Sequence, residues 1–326
     1  MNSSLPFLGR AACAAAALAF SASAALAADA YPNHPLRLIV PFPPGGSNDI
    51  VGRLMADQLS KRLSQQVVID NRGGAGGTIG TEMAAKSLPD GYTLLFISSA
   101  FASNTSMYKL SYDPDKAFAP VGMIAAGPNV LAVTPSLPVK NAAELIALAK
   151  SKPGKLNYAS AGIGSFQHLG GALFASMAGI DMVHVPFKGG GPAMVDVMAG
   201  NTQICFSSLV QTLPQMRAGK LKPLGVGGLK RSPTAPEVPT IAESGLPGYE
   251  ALNWWGIITP AGTPASIVER LHAELLAIQQ APEVKKRFES EAVEGMQMSV
   301  AEFKQYIDRD TIKWAKVVKE AGIKAE

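Results

Sequence analysis

The chain has 326 residues, 47% of them hydrophobic and 17% charged, with 29 Lys and Arg against 25 Asp and Glu for a formal net charge of +4. Such a length holds two domains of ordinary size, and so mild a basic balance excludes the concentrated basic face of a nucleic-acid-binding protein.

Residues 1–27 read as a leader rather than as part of the fold. MNSSLPFLGR carries one charge, Arg10; AACAAAALAFSASAALA is small and apolar and closes on Ala25-Leu26-Ala27. A short charged region, an apolar core and an A-x-A site make the pattern of a secretory signal peptide. A membrane anchor is the alternative. The segment is weakly hydrophobic for one, and no later run approaches the roughly 20 apolar residues that span a bilayer. Cys13 lacks the leucine three residues earlier that lipoprotein processing needs, since Arg10 stands there. Cleavage after Ala27 leaves an exported, soluble chain of residues 28–326 with Cys205 as its one cysteine. Without an internal disulfide its stability must come from a packed core, and Cys205, inside the apolar QICFSS, reads as a buried small residue.

The mature chain opens with the apolar run LRLIV (36–40). A helix follows from Ser47 to Leu63, with Ile50, Val51, Leu54, Met55, Leu59 and Leu63 on one face. VVID (67–70) precedes a glycine loop and TIGTEMAAKSL; PDGY (89–92) is a turn; TLLFISS (93–99) is a third strand. Strands alternating with helices argue a mostly parallel sheet with helices on both faces. Around Val130 the pattern restarts. NVLAVTP leads to a helix over 141–150, LNYAS (156–160), a helix over 165–178, VHVPF (183–187), a helix over 192–199, QICFSS (203–208) and LKPLGVGG. RSPTAPEVPTIAESGLPGYE (231–250) is proline-rich loop, ALNWWGIITP (251–260) is one more strand, and helices follow over 264–280, 282–292 and 299–323. Two α/β units in succession, then a strand and helices that must pack back somewhere, describe a chain that crosses between two lobes twice. The division is 28–130 plus 251–326 for the first and 131–250 for the second. Binding proteins that close like a clam shell are built this way; a single larger α/β enzyme is the alternative.

Three stretches set glycine and small polar residues where a strand hands over to a helix: PPGGSND (43–49), NRGGAGGTIG (71–80) and ASAGIGSFQHLGG (159–171). Backbone N–H groups at a helix start are unpaired and sit at the positive end of the helix dipole, so the chemistry favoured there is anion binding. Plain turns and caps are the alternative. Nucleotide phosphate is excluded by motif. The two Gly-Lys pairs, Gly154-Lys155 and Gly219-Lys220, are each followed by leucine, and G-x-G-x-x-G fails at Ile79 and at Gln167.

Catalysis finds little support. GIGSFQ is no nucleophile elbow, and none of His34, His168, His184 and His272 has metal spacing with another His or a carboxylate. Ser165 and His168 lie on one helix turn without an orienting acid, so His168 more simply steadies the loop. Arg72 is the one charged candidate for an anion, with a salt bridge to Asp70 or Glu82 as its alternative. Trp254 and Trp255 would wall a cleft or belong to core.

The chain resembles the exported solute receptors of tripartite tricarboxylate transporters, the Bug (TctC-like) family. The markers stand in order: PFPPGGSND, NRGGAGGTIG, PDGYTLL, Tyr112-Asp113-Pro114, PGKLNYASAGIGSFQHL, VPFKGGGPAMVDVMAG, PLGV, VPTIAESGLPGYE and WWGIITPAGTP. The resemblance implies a two-lobed type II periplasmic-binding-protein fold, with two α/β domains joined by a double-crossover hinge and a ligand cleft between them. It implies a periplasmic, monomeric receptor without metal or cofactor, for a small carboxylate: an amino-dicarboxylate, a di- or tricarboxylate, or an aromatic acid. The carboxylate would be held by backbone groups and waters and delivered to a tripartite permease. A receptor that docks on a membrane sensor kinase is one alternative, and a secreted hydrolase is another. By the same resemblance Phe42, Pro44, Gly45, Gly46, Ser47 and Asn48 line one side of the cleft, and Gly162, Gly164, Ser165 and His168 the other. Ala75, Gly76 and Ser98 border it, with Ser207 at the end of QICFSS. Gly73 departs from the family's usual proline, which would leave that loop looser. Phe187 departs from the commoner tyrosine and removes a hydroxyl from the far end.

Overall fold

The computed structural model describes residues 31–323. The leader and its cleavage site after Ala27 lie outside the described residues.

The first strand, β1 (Leu36–Val40), is buried along nearly its whole length because parallel neighbours flank it, β2 (Val67–Asn71) on one side and β3 (Thr93–Ser98) on the other. Helix α1 (Ser47–Leu63) covers this sheet, and Val51, Met55, Leu59 and Leu63 repeat every fourth residue on its buried face. Helices α2 (Thr78–Ala85) and α3 (Ser99–Met107) complete the first run.

The long strand β4 (Phe118–Val133) organises the molecule. Its first part pairs antiparallel with β9 (Leu252–Pro260), from Phe118 opposite Pro260 to Pro128 opposite Leu252, and β9 in turn pairs with β3. From Asn129 onward β4 leaves β9 and takes β7 (Ile204–Ser208) and β8 (Lys222–Val226) as antiparallel partners. β7 then pairs in parallel with β5 (Asn157–Ser160), and β5 with β6 (Val183–Pro186). One ten-stranded path, β2-β1-β3-β9-β4-β7-β5-β6 with β8 and the two-residue β10 (Glu294–Gly295) on β4, thus serves two lobes. β4 changes partner at Pro128–Asn129 and β9 begins at Leu252, and these two points touch, since the Asn129 N–H donates to the Ala251 carbonyl at 3.3 Å.

The second lobe carries α4 (Ala142–Ser151), α5 (Phe166–Ala178), α6 (Gly190–Ala199) and α7 (Leu209–Arg217). After β9 come α8 (Ala265–Gln280), α9 (Pro282–Ser290) and α10 (Val300–Glu320). α10 starts from a capping box of Ser299 and Glu302, packs against α3, and sets Trp314 edge-on to Phe166 of the second lobe at 6.5 Å. Trp254 and Trp255 are fully buried core residues. Cys205 is buried as expected, and burial pushes its thiol up to about 12. No described helix is long and apolar enough to cross a membrane.

Candidate ligand-binding cleft

Five helix starts meet at one cavity between the lobes. It is lined by Gly46, Ser47 and Asn48 at the head of α1, Ser98 and Ala100 at α3, Ser165 and Gln167 at α5, Gly190 at α6, and Ser208 and Gln211 at α7. Phe42, Ala161, Phe166 and Asn253 fill the gaps between them. None of these residues is charged. Four of the five helices have no side-chain cap at their start, so their first N–H groups stay free for another acceptor. Each start carries the equivalent of roughly half a positive charge, and five gathered around one cavity favour an anion there without a single cationic side chain.

Loop 41–46 is held from behind by an ionic net. The Asp49 carboxylate accepts from the Gly45 N–H and from Asn71 Nδ2, each at 3.0 Å, and from Arg53 Nε at 3.0 Å. Asn71 Nδ2 also donates to the Phe42 carbonyl at 3.0 Å. Burial pushes the Asp49 carboxyl up, but the hydrogen bonds from Arg53, Gly45 and Asn71 outweigh it and hold the group below its ordinary value. Asn48 is oriented too. The Trp255 indole N–H donates to Asn48 Oδ1 at 2.8 Å, and because an indole nitrogen only donates, the amide NH2 of Asn48 is the end left for the cavity.

Loop 161–165 is held by neutral groups. Ser165 Oγ caps α5 by accepting from the His168 N–H at 3.3 Å, and the Gly164 N–H donates to His168 Nδ1 at 3.2 Å. That second bond requires a neutral ring with Nδ1 unprotonated. His168 stacks on His184 at 3.8 Å, and His184 Nε2 meets Ser160 Oγ at 2.6 Å. Burial lowers the pKa of His168 to about 4. Burial and the neighbouring His168 lower that of His184 to about 3. Both rings are therefore uncharged at neutral pH.

The lobes are closed on each other around the cavity. Tyr108 Oη donates to the Ile163 carbonyl at 2.8 Å and Ser103 Oγ to the Gly164 carbonyl at 3.1 Å. At Gly76, with φ of +62°, an added Cβ would stand 2.6 Å from the Ile163 oxygen, so only glycine allows this approach. The space left there is about 30 Å³ measured to the centre of a water-sized sphere, room for a couple of waters or a small polar head.

The family profile of the tripartite tricarboxylate transporter family receptor, TctC, matches residues 51–323. The chain belongs to this family. It is 38% identical over 313 residues to the UPF0065 protein in the tcbD-tcbE intergenic region of Pseudomonas sp. (strain P51), covering 95% of this chain and 93% of that one. Among solved structures it is similar to R. palustris Rpa4515 with adipate, at TM-score 0.88 and 35% identity over 90% of this chain and 99% of that one. MatC from Rhodopseudomonas palustris with bound malate follows at TM-score 0.84 and 31% identity, over 88% and 100%. The periplasmic binding protein BugD gives TM-score 0.87 and 33% identity, over 91% and 100%. The fold is thus the two-lobed type II periplasmic-binding-protein fold, and the TctC and Bug proteins are periplasmic solute-binding receptors, not enzymes.

In this TctC receptor six of the residues expected from sequence line the cavity: Phe42, Gly46, Ser47, Asn48, Ser98 and Ser165. Pro44 and Gly45 shape the turn behind Gly46; Gly76 and Gly164 sit at the closing contact, Gly162 packs within its own lobe against the Phe187 carbonyl, and neither it nor Ala75 is on the cavity wall. His168 faces away, into a separate hollow shared with Tyr158 and His184, and steadies loop 161–165 from there. Ser208, not Ser207, reaches the cavity; Ser207 stands behind it, hydrogen-bonded to Gln167 and Gln211. At Gly73 the Pro43 ring lies so close that a Cβ would meet it at 2.6 Å, so this path of the loop has no room for a side chain. Phe187 is not a lining residue and packs, half-buried, against the apolar cluster that includes Ala193, Met194 and Cys205. Arg72 pairs with Asp70 at 2.7 Å.

Lining residues that the sequence reading missed are Ala100, Ala161, Phe166, Gln167, Gly190, Ser208, Gln211 and Asn253. Ala100 rides on α3, a helix with no clear sequence period, and Gln211 on α7, which has Pro214 inside it. Among the described residues no cluster of three or more His, Cys, Asp or Glu is placed for a metal ion.

Proposed function

We propose that this protein is a periplasmic receptor that captures a small carboxylate between its lobes and delivers it to a tripartite tricarboxylate-type permease. The observation that carries the reading is the convergence of five helix starts on an uncharged cavity between lobes in contact. A carboxylate is small enough for such a space and answers the positive ends of the helices without needing an arginine. The Asn48 amide NH2 and the Ser47 and Ser165 hydroxyls add donors beside the backbone. The adipate of Rpa4515 and the malate of MatC support the same ligand class for this chain. In this reading the leader is removed after Ala27, residues 28–130 with 251–326 form one lobe and 131–250 the other, and the receptor works as a monomer.

A thermal-shift screen of mono-, di-, tricarboxylic and aromatic acids tests it. A ligand that binds the closed form raises the melting temperature by mass action, and a receptor returns its ligand chemically unchanged. Flat melting curves across all the acids, or recovery of altered compounds, would overturn the reading.

A further inference from the structure

The second-lobe wall of the cavity contains a chain of hydrogen bonds whose direction is fixed at one end. Gln211 Nε2 donates to the Gly190 carbonyl at 2.6 Å, and a carbonyl only accepts. Gln211 must therefore turn its Oε1 to Ser207, whose hydroxyl donates to it at 3.1 Å. With its one proton spent, Ser207 Oγ serves Gln167 only as acceptor, and Gln167 Nε2 donates to it at 2.8 Å. The amide of Gln167 is thereby fixed with Nε2 turned toward Ser207, behind the wall. Its Oε1 accepts no hydrogen bond from any described group, although Gln167 lines the cavity and is only 7% exposed. Ser208 Oγ, on the same wall, is also unpartnered, but a hydroxyl both donates and accepts and so imposes no polarity. Gln167 does impose one. A buried acceptor left unpaired is costly, so the site favours whatever brings it a donor.

We propose that the cleft selects carboxylates carrying a hydroxyl or ammonium group on the side that meets Gln167, over acids of the same skeleton without one. This rests on the carboxylate-receptor reading above and deepens it. The first-lobe wall and the helix starts supply donors for the carboxylate, whereas Gln167 supplies an acceptor for the substituent. Gln167 is then the specificity-determining residue, and Ser207 the positioning residue that keeps its amide from turning over.

The test is titration calorimetry of the mature protein with matched sets of acids: succinate, malate and aspartate; adipate with its 2-hydroxy and 2-amino forms; 3-phenylpropionate, 3-phenyllactate and phenylalanine. In the set that fits the cleft, the substituted acid is expected to bind about five- to a hundredfold more tightly than its parent, the range that one unpaired buried acceptor accounts for. Gln167→Met, which keeps the bulk and removes the acceptor, is expected to bring the ratio of substituted to parent affinity down toward one, whatever it does to the two affinities together. Ser207→Ala, which leaves the cavity lining intact, is expected to shrink that ratio by leaving the Gln167 amide held only by the long 3.5 Å contact to Gln211 Oε1. Melting curves of both variants report whether they fold, and the wild-type comparison stands without them. Equal binding of parent and substituted acid, tighter binding of the parent, or a preference that survives in folded Gln167→Met would overturn the proposal and leave the carboxylate receptor standing. Binding of no acid in any set would overturn both.

Discussion

The two loops that face each other across the cleft present the same chemistry to a ligand and are supported in opposite ways. Loop 41–46 is tied down by a carboxylate, Asp49, that takes hydrogen bonds from Gly45, Arg53 and Asn71. Loop 161–165 is tied down by two stacked neutral imidazoles, His168 and His184. A carboxylate with three donors stays ionised well into acid. An imidazole that must accept from Gly164 works only while it is unprotonated. Equal seats thus rest on supports with different tolerance to acid, and the second loop is the one that acid reaches first.

The largest expected effect removes the comparison altogether. At Gly46 an added Cβ would meet the Gly190 nitrogen at 3.7 Å, ordinary contact, so Gly46→Ala should bind nearly as well as wild type. Gly46→Leu drives its further atoms into Gly190 and holds the loops apart, with affinity for a stabilising acid falling by about a hundredfold in calorimetry. An unchanged affinity for the leucine variant would show that the cavity is not the ligand seat.

Acid sharpens the difference. The folded-state pKa of His168 is near 4, below its ordinary 6.5, so between those values the unfolded chain binds more protons. The stability it contributes is complete above about pH 6.5 and falls as pH drops toward 4, by on the order of 2–3 kcal/mol. Asp49 is lowered from 3.8, so its contribution is lost only below that pH. Asp310 opposes His168. Burial raises it from 3.8 to about 6 despite hydrogen bonds from the Trp254 and Trp314 indoles at 2.7 and 3.1 Å. Its contribution is complete below pH 3.8 and is lost as pH rises through 6. Asp310→Asn should therefore steepen the acid decline of the melting temperature between pH 6.5 and 4, and His168→Gln should flatten it. Parallel curves for the two variants would contradict the assignment.

Asp49→Asn attacks the other support. It removes the charge that pairs with Arg53 and turns one acceptor into a donor, at a cost of about 1–3 kcal/mol read by chemical denaturation. Its effect should be the same at pH 7 and pH 5, unlike that of His168→Gln. Ser165→Ala is the mildest change. Loss of the cap on α5 costs about 1 kcal/mol and weakens acid binding by about fivefold.

The sequence announced the helix starts that carry a turn signature and hid those that do not. PPGGSND and AGIGSFQ place glycine beside a serine at a strand-to-helix turn, so α1 and α5 and their lining residues are legible. α3, SAFASNTSM, is buried on most of its surface from Ser99 to Asn104 and shows no amphipathic stripe, and α7 has Pro214 inside it. Ala100, Ser208 and Gln211 went unseen with them. Ser207 and Ser208 differ by one residue on a strand, and neighbours on a strand point to opposite faces, so choosing Ser207 selected the wrong side. β4 read as beginning near Val130 because Pro120, Gly122, Gly127 and Pro128 punctuate its first part. The strand absorbs them with register shifts between Pro120 and Gly122 and between Met123 and Ala125.

The adjacency of β4 and β9 bears on how the receptor moves. The two passages between lobes are hydrogen-bonded neighbours along an antiparallel ribbon, not a pair of independent tethers. A ribbon twists and bends readily about one line and resists sliding and shear. A parting of the lobes about this ribbon would be close to a rotation with one degree of freedom, with the Tyr108–Ile163 contact as the first to break.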